Sequence, residues 1–191
     1  PNFIRDNSIS NYLEIINNRA KKHQKKNTKY EFLHLSGVLK NKGLDFAIRF
    51  ILALNESEYF NSNKIIFYIK VVGCNKLDAF KIHPEIIPLI NKLESKKLIR
   101  FYGPIYKEYE LNEIFSTTHF NLLLSKSEAQ PLSLIEAANF GCISIVNKTD
   151  FIEEMLLTID GLSIDRDKLI EGLRKVINYF ENIDKTYFSF T

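Results

Sequence analysis

Two carboxylates, Glu128 and Glu136, follow the apolar run Phe120–Leu124 (FNLLL), in the stretch Ser125-Lys-Ser-Glu128-Ala-Gln-Pro131-Leu-Ser-Leu-Ile-Glu136-Ala-Ala-Asn-Phe-Gly141. The apolar run predicts a strand. Pro131 suits the first turn of a helix, where its missing N–H costs nothing. Glu128 then sits in a strand-to-helix loop. The amides of Leu132 and Ser133 have no acceptor within the helix, and the dipole at that end favours an anion such as phosphate. Glu136 follows about one turn in, with Leu132, Leu134, Ile135, Ala137 and Ala138 around it. A carboxylate in apolar company needs a partner, and ribose hydroxyls are one that nucleotide sites supply. Plainer readings stand beside this one. Glu136 can cap or ion-pair on a helix, Glu128 can be a solvated loop acid, and Lys42, upstream, can be a surface lysine.

The elements that must position these residues alternate along the chain. Strands are predicted at Phe32–Ser36, Lys64–Val72, Leu98–Tyr102, Phe120–Leu124, Ile143–Val146 and Leu162–Ile164. Helices are predicted around Leu44–Leu52, Ile86–Leu93, Tyr109–Phe115, Pro131–Phe140, Asp150–Leu157 and Asp167–Phe180. A further helix, with Tyr12, Leu13, Ile15, Ile16 and Ala20 on one face, leads the chain and ends in the basic run Lys21–Lys26. Such alternation predicts right-handed crossovers and a doubly wound, Rossmann-like α/β fold with a parallel sheet of about six strands. FNLLL and KIIFYI are apolar on both faces, as strands covered by helices on two sides require. Ligands of such sheets bind beyond the carboxyl ends of the strands, so the loops after Ser36, Val72, Tyr102, Leu124 and Val146 hold the candidate site.

The bulk composition excludes several classes. The chain has 191 residues, 45% hydrophobic and 26% charged, which fits one globular domain. The net charge of +3 is too small to argue for nucleic acid as a partner. Cys74 and Cys142 belong to no C-x-x-C pair, and free thiols fit a reducing cytoplasm. No apolar run reaches the length of a membrane span. The basic helix end reads as a solvated face, with contact to an anionic membrane surface as the second reading. His34 reads as a structural strand histidine and His119 as a strand-entry residue. No Asp-x-Asp motif or His cluster suggests a metal.

The Glu128–Glu136 segment resembles the E-x7-E region of the retaining group 1 glycosyl transferases, which have two Rossmann-like domains. Their pattern, S-x-x-E-G-F-G/P-L-x-x-x-E-A-x-x-x-G, is matched by Ser125, Glu128, Pro131, Leu132, Glu136, Ala137 and Gly141. Ser36-Gly37-Val-Leu-Lys40-Asn-Lys42-Gly43 is similar to the family's G-R-L-x-x-x-K-G loop. Phe101-Tyr-Gly103 is similar to its F-x-G turn, and Pro1-Asn-Phe-Ile to its interdomain hinge. The resemblance implies that the chain is the carboxy-terminal, nucleotide-sugar-binding half of a glycosyltransferase B-type fold. Residues 1–29 would form a hinge-like linker and leading helix, residues 30–191 the donor domain, and the amino-terminal acceptor domain would be absent.

The resemblance also implies roles. Glu128 contacts the transferred sugar, Glu136 holds the ribose, and Lys42 neutralises the diphosphate. The amides about Pro131, Leu132 and Ser133 meet a donor phosphate, and Gly103 lets the backbone approach the base. Gly37 stands where the family has Arg, so Lys40 is the candidate substitute for that charge; Ala129 and Gln130 replace Gly-Phe. No cofactor or metal is expected, because the nucleoside-diphosphate sugar is a substrate. The partners expected are that donor, the missing amino-terminal domain and a glycan or lipid-linked acceptor. The context expected is polysaccharide biosynthesis by a cytoplasmic hexosyltransferase, peripheral at the membrane's cytoplasmic face in the second reading. Because the chain opens on Pro1, it reads as a fragment that transfers no sugar alone. Three competing readings stay open: a non-catalytic nucleotide-sugar-binding or assembly module, a nucleotide-sugar epimerase of similar fold, and a phosphate-binding α/β domain of other use.

Overall fold

The computed structural model describes residues 8–23, 27–37, 39–126, 131–149, 156 and 161–187. The hinge-like Pro1–Ile4 stretch, the end of the basic run at 24–26, Glu128 with Ala129 and Gln130, and all of the predicted helix 150–157 but Leu156 lie outside the described residues.

The apolar runs form six strands, β1 (Lys29–Leu35), β2 (Ile66–Val72), β3 (Ile99–Gly103), β4 (Phe120–Leu123), β5 (Ile143–Asn147) and β6 (Gly161–Ile164). They make one sheet in the order β3-β2-β1-β4-β5-β6, and every pairing is parallel. Every residue of β4 and β5 is buried, whereas the edge strands β3 and β6 are mostly half-buried. Among the described residues the helices are α1 (Ser8–Lys22), α2 (Leu44–Glu56), α3 (Glu58–Ser62), α4 (Lys76–Ile82), α5 (Ile87–Ser95), α6 (Glu108–Thr117), α7 (Leu132–Asn139) and α8 (Leu169–Tyr187). The expected doubly wound α/β fold with a six-stranded parallel sheet is what the chain forms.

The period of two along each strand divides the core. Phe32, Val71, Phe120, Leu122 and Ile145 face α2, α5 and α8, in a cluster that includes Phe50, Phe60, Ile90 and Phe180. The alternate residues Leu33 and Val72 face α6 and α7, beside Phe115, Ala137 and Cys142. Across the β1–β4 pairing, Phe32 and Phe120 stack with centroids 4.7 Å apart. β2 starts two residues later than expected. Lys64 takes φ 55°, a left-handed turn conformation, so β2 begins at Ile66. Two short helices escape the apolar periodicity, α3 and α4, the second capped by the Asn75 side chain accepting from the Asp78 amide at 3.0 Å.

In the basic end of α1, Lys21 is exposed as expected, but Lys22 and His23 depart from a solvated face. Lys22 Nζ donates to the carbonyls of Phe115 and Thr118 at 2.8 Å each, at the carboxyl end of α6, where a cation suits the dipole. Arg19 and His23 are buried, and among the described residues of this end only Lys21 is exposed. The backbone of Arg19 lies so near Gly141 that a Cβ there would stand 2.6 Å from the Arg19 nitrogen, and Gly141 has φ +73°. The last glycine of the Glu128–Gly141 segment is therefore a packing requirement of α1 against the end of α7. No helix among the described residues is long and apolar enough to cross a membrane.

Candidate functional site

The strand order places the switch point of the sheet between β1 and β4, where connections leave in opposite directions and open a crevice at the carboxyl ends. The two loops that flank this crevice are the ones carrying Lys42 and the approach to Glu128.

The first loop leaves β1 beside a short polar network. Ser36 Oγ lies 2.9 Å from Nε2 of the buried His34. Burial, chiefly, pushes the imidazole down to about 4, so His34 is neutral at pH 7. The Ser36 amide donates to Val72 O at 3.0 Å, and the Gly73 amide to Gly103 O at 2.8 Å, so the exits of β1, β2 and β3 run side by side. Gly103 has φ +67° and nothing within 4 Å of where a Cβ would be, which leaves its backbone approachable. Gly37 is equally open and exposed. Beyond it, Lys40–Lys42 form one 3-10 turn, with Lys40 exposed and Lys42 half-buried. Gly43, in the left-handed conformation at φ 81°, then starts α2.

The second loop leaves β4 through Leu124 and Ser125, both buried, to the exposed Lys126. The two loops touch. The Lys126 amide donates to Asn41 O at 3.0 Å. A Cβ on Gly43 would stand 2.3 Å from the carbonyl oxygen of Leu124, so only glycine admits this approach. The structure thus brings Lys42 to the strand exit that leads toward Glu128, whose own position lies outside the described residues.

At the start of α7, Pro131 is buried and Leu134 N donates to its carbonyl at 2.9 Å. The amides of Leu132 and Ser133 precede the first helical bond and have no acceptor within the helix. Ser133 is half-buried and its carbonyl accepts from Asn121 Nδ2 at 3.3 Å. The apolar company expected around Glu136 is divided by the helix. Leu134, Ala137 and Ala138 turn inward, while Leu132, Ile135 and Glu136 are exposed along one face. Glu136 therefore stands on an open surface with no burial cost to offset, and its sequence neighbours misled because a helix separates positions one and two apart.

Sequence reasoning left out the loop after Ile164. Arg166 reaches from there to Leu124 O at 3.1 Å and Asp45 Oδ1 at 3.3 Å, and Asn147 Nδ2 donates to Ser125 O at 3.1 Å. Lys126, Asn147, Lys148, Asp165 and Arg166 line an open cavity of about 460 Å³ beside the crevice. The one signal available was the charged triplet Asp165-Arg166-Asp167 directly after a strand. Among the described residues no group of three His, Cys, Asp or Glu side chains is placed to hold a metal ion.

The fold is shared with solved glycosyltransferases. A retaining trehalose-6-phosphate synthase superposes with TM-score 0.62 at 13% identity, over 88% of this chain and 41% of that one. The pneumococcal O-GlcNAc transferase GtfA, solved with UDP and GlcNAc, gives 0.61 at 17%, over 80% and 29%. WaaG, a glycosyltransferase of lipopolysaccharide biosynthesis, gives 0.59 at 20%, over 85% and 42%. The chain thus spans about two fifths or less of the length of these structures. No curated protein matches it by sequence. The family model of the group 1 glycosyl transferases matches residues 16–189, nearly the whole chain, with the six-stranded sheet and both crevice loops inside the match. This chain belongs to the group 1 glycosyl transferases.

Proposed function

We propose that this chain is the donor-binding domain of a retaining glycosyltransferase, which moves a hexose from a nucleoside-diphosphate sugar to a glycan or lipid-linked acceptor. The observation that carries the reading is the contact of the Lys42–Gly43 turn with the β4 exit at the switch point, where such sheets take their ligands. A donor laid across the exits would have its base over Gly103 on β3. Its diphosphate would lie near Lys42, Lys40 and the α7 amides of Leu132 and Ser133, and its sugar near Glu128. From β3 to β4 is three strand spacings, about 14 Å at about 4.8 Å each.

The chemistry then divides between the ends of the crevice. As the bond from the sugar carbon to the diphosphate breaks, the carbon gains positive character and the leaving oxygen negative charge. Lys42 stabilises the leaving group more in the transition state than in the bound donor, as does Glu128 the sugar. The lysines take the charge-neutralising role, so the transfer calls for no metal or resident cofactor. The exposed Glu136 offers its carboxylate to ribose hydroxyls from the open face of α7. The neighbours' complexes with UDP and UDP-2-fluoro glucose support this donor class.

The acceptor wall of the cleft belongs to an amino-terminal domain in this reading, so residues 1–191 alone bind donor weakly and transfer nothing. The enzyme works in the cytoplasm, at the membrane face where the acceptor is lipid-linked. A second reading, a binding module without turnover, draws on Gly37, an open position with no cation where the family carries Arg. Calorimetry with UDP, GDP and ADP tests the donor site, and transfer by the complete protein separates the two readings. Absence of binding by all three nucleotides overturns both.

A further inference from the structure

The β4 exit is held at three successive backbone groups by residues far away in sequence. Arg166 Nη1 donates to Leu124 O at 3.1 Å. Asn147 Nδ2 donates to Ser125 O at 3.1 Å. The Lys126 amide donates to Asn41 O at 3.0 Å. The two side chains are also joined to one another, because the Arg166 amide donates to Asn147 Oδ1 at 3.2 Å. Arg166 Nη2 continues to Asp45 Oδ1 at 3.3 Å, in the first turn of α2, immediately after the Lys42–Gly43 turn. The Arg166 side chain is 9% exposed and Asn147 8%, so both work largely out of water, where an unmade hydrogen bond is costly.

The Leu124 carbonyl is the shared point. It is the atom that a Gly43 Cβ would strike at 2.3 Å, and it is the acceptor for Arg166. A planar guanidinium can bond a carbonyl and a carboxylate at once in fixed directions, which a lysine ammonium on a flexible stem cannot match. Both functional groups of the Asn147 amide are used, one toward the exit of β4 and one toward that of β6.

We propose that Arg166 and Asn147 are positioning residues that lock the β4 exit to the Lys42–Gly43 turn and so set the spacing of the two walls of the nucleotide crevice. The role rests on the donor-site reading above for its functional half. Its structural half, control of the contact between the loops, does not. Neither residue touches the donor. They act through the Leu124 and Ser125 carbonyls, and the cross-loop bond of the Lys126 amide reports whether they do.

The test uses this chain with UDP as the probe. Arg166→Lys keeps a charge beside Asp45 but loses the fork. Asn147→Asp keeps the acceptor toward the Arg166 amide but turns the donor toward Ser125 O into a repelling oxygen. Lys175→Ala is the control, since Lys175 bonds Ser163 O at 2.7 Å in the same strand-helix unit without touching β4. Hydrogen exchange of the Lys126 amide rises about tenfold in each of the first two variants, the loss of about one hydrogen bond's worth of local stability. UDP affinity falls by about tenfold in the same two, and both readings stay at the wild-type level in Lys175→Ala. If either variant fails to fold, Asp45→Ala, which removes the acceptor of Arg166 Nη2 alone, gives a smaller rise in Lys126 exchange. Unchanged Lys126 exchange overturns the lock, as does an equal response in the control. Faster exchange with unchanged UDP affinity overturns its functional half. Wild type that fails to bind UDP, while the variants still speed Lys126 exchange, overturns the donor-site reading and leaves the lock in place.

Discussion

Substituting Gly43 by alanine tests the contact on which the crevice depends. The new Cβ would lie 2.3 Å from Leu124 O, 2.8 Å from its carbonyl carbon and 2.9 Å from its Cβ, and two of those atoms are backbone that cannot swing aside. Ordinary contact needs roughly 1 Å more, so the loops must part and stretch the Lys126–Asn41 bond, which costs about 1 kcal/mol. The left-handed φ of 81° adds about 1–2 kcal/mol for any residue with a Cβ. The sum, about 2–3 kcal/mol, lowers the melting temperature by roughly 4–12 °C in a chain of this size. Gly37→Ala supplies the contrast: its Cβ meets nothing within 4 Å and its φ is ordinary, so stability changes by less than about 0.5 kcal/mol. Thermal unfolding followed by circular dichroism, together with UDP calorimetry, gives both readings. Gly43→Ala melting within about 2 °C of wild type, a change of less than about 1 kcal/mol, would refute the close approach of the two loops.

Four further outcomes are expected. Phe32→Ala removes one ring of the buried stack with Phe120 and costs about 3–5 kcal/mol in urea unfolding. Glu136→Ala weakens UDP binding by about 2–4 kcal/mol through lost ribose bonds while the fold stands; unchanged affinity would remove Glu136 from the site. In the complete enzyme, Glu128→Gln cuts turnover by roughly 10²-fold at saturating donor, about 3 kcal/mol of barrier, with nucleotide affinity kept. Stability also falls with acid. His34 and His119 titrate at about 4 in the folded chain against 6.5 unfolded, so the unfolded chain takes up more protons between those values. Their stabilisation is complete above about pH 6.5 and is lost as pH falls toward 4, with about 3 kcal/mol for His34 at most. Urea midpoints at pH 7.5, 5.5 and 4.5 measure it, and His34→Gln flattens the slope.

The strands were legible because their signal is local. FNLL and ISIVN place apolar residues on both faces, as a strand covered on both sides requires, and both are wholly buried, with Asn121, Ser144 and Asn147 as their polar members. The loops of the crevice followed from that alternation and from the glycines. Three kinds of information were not local. The short helix α4 is fixed by one capping side chain, Asn75, on a sequence without strong apolar period. The exposure of Glu136 depends on which face of α7 meets the sheet, and its apolar neighbours lie on both faces. Arg166 acts on Asp45 and Leu124, residues 121 and 42 positions away, and no spacing pattern links residues so distant. The same holds for Lys22 in α1, whose charge reads as solvent-facing until the carbonyls of Phe115 and Thr118 come into place.

The central place of β1 has a consequence for synthesis. Its two neighbours are β2, which follows soon after, and β4, whose Phe120 pairs with Phe32 about 90 residues later. At roughly 5–20 residues per second, a ribosome needs about 5–20 s to deliver β4 after β1 has emerged. Throughout that interval one edge of β1 has no strand to pair with and lies open to other nascent chains. Slowing translation just before β4 should therefore raise the aggregated fraction more than slowing it after β6.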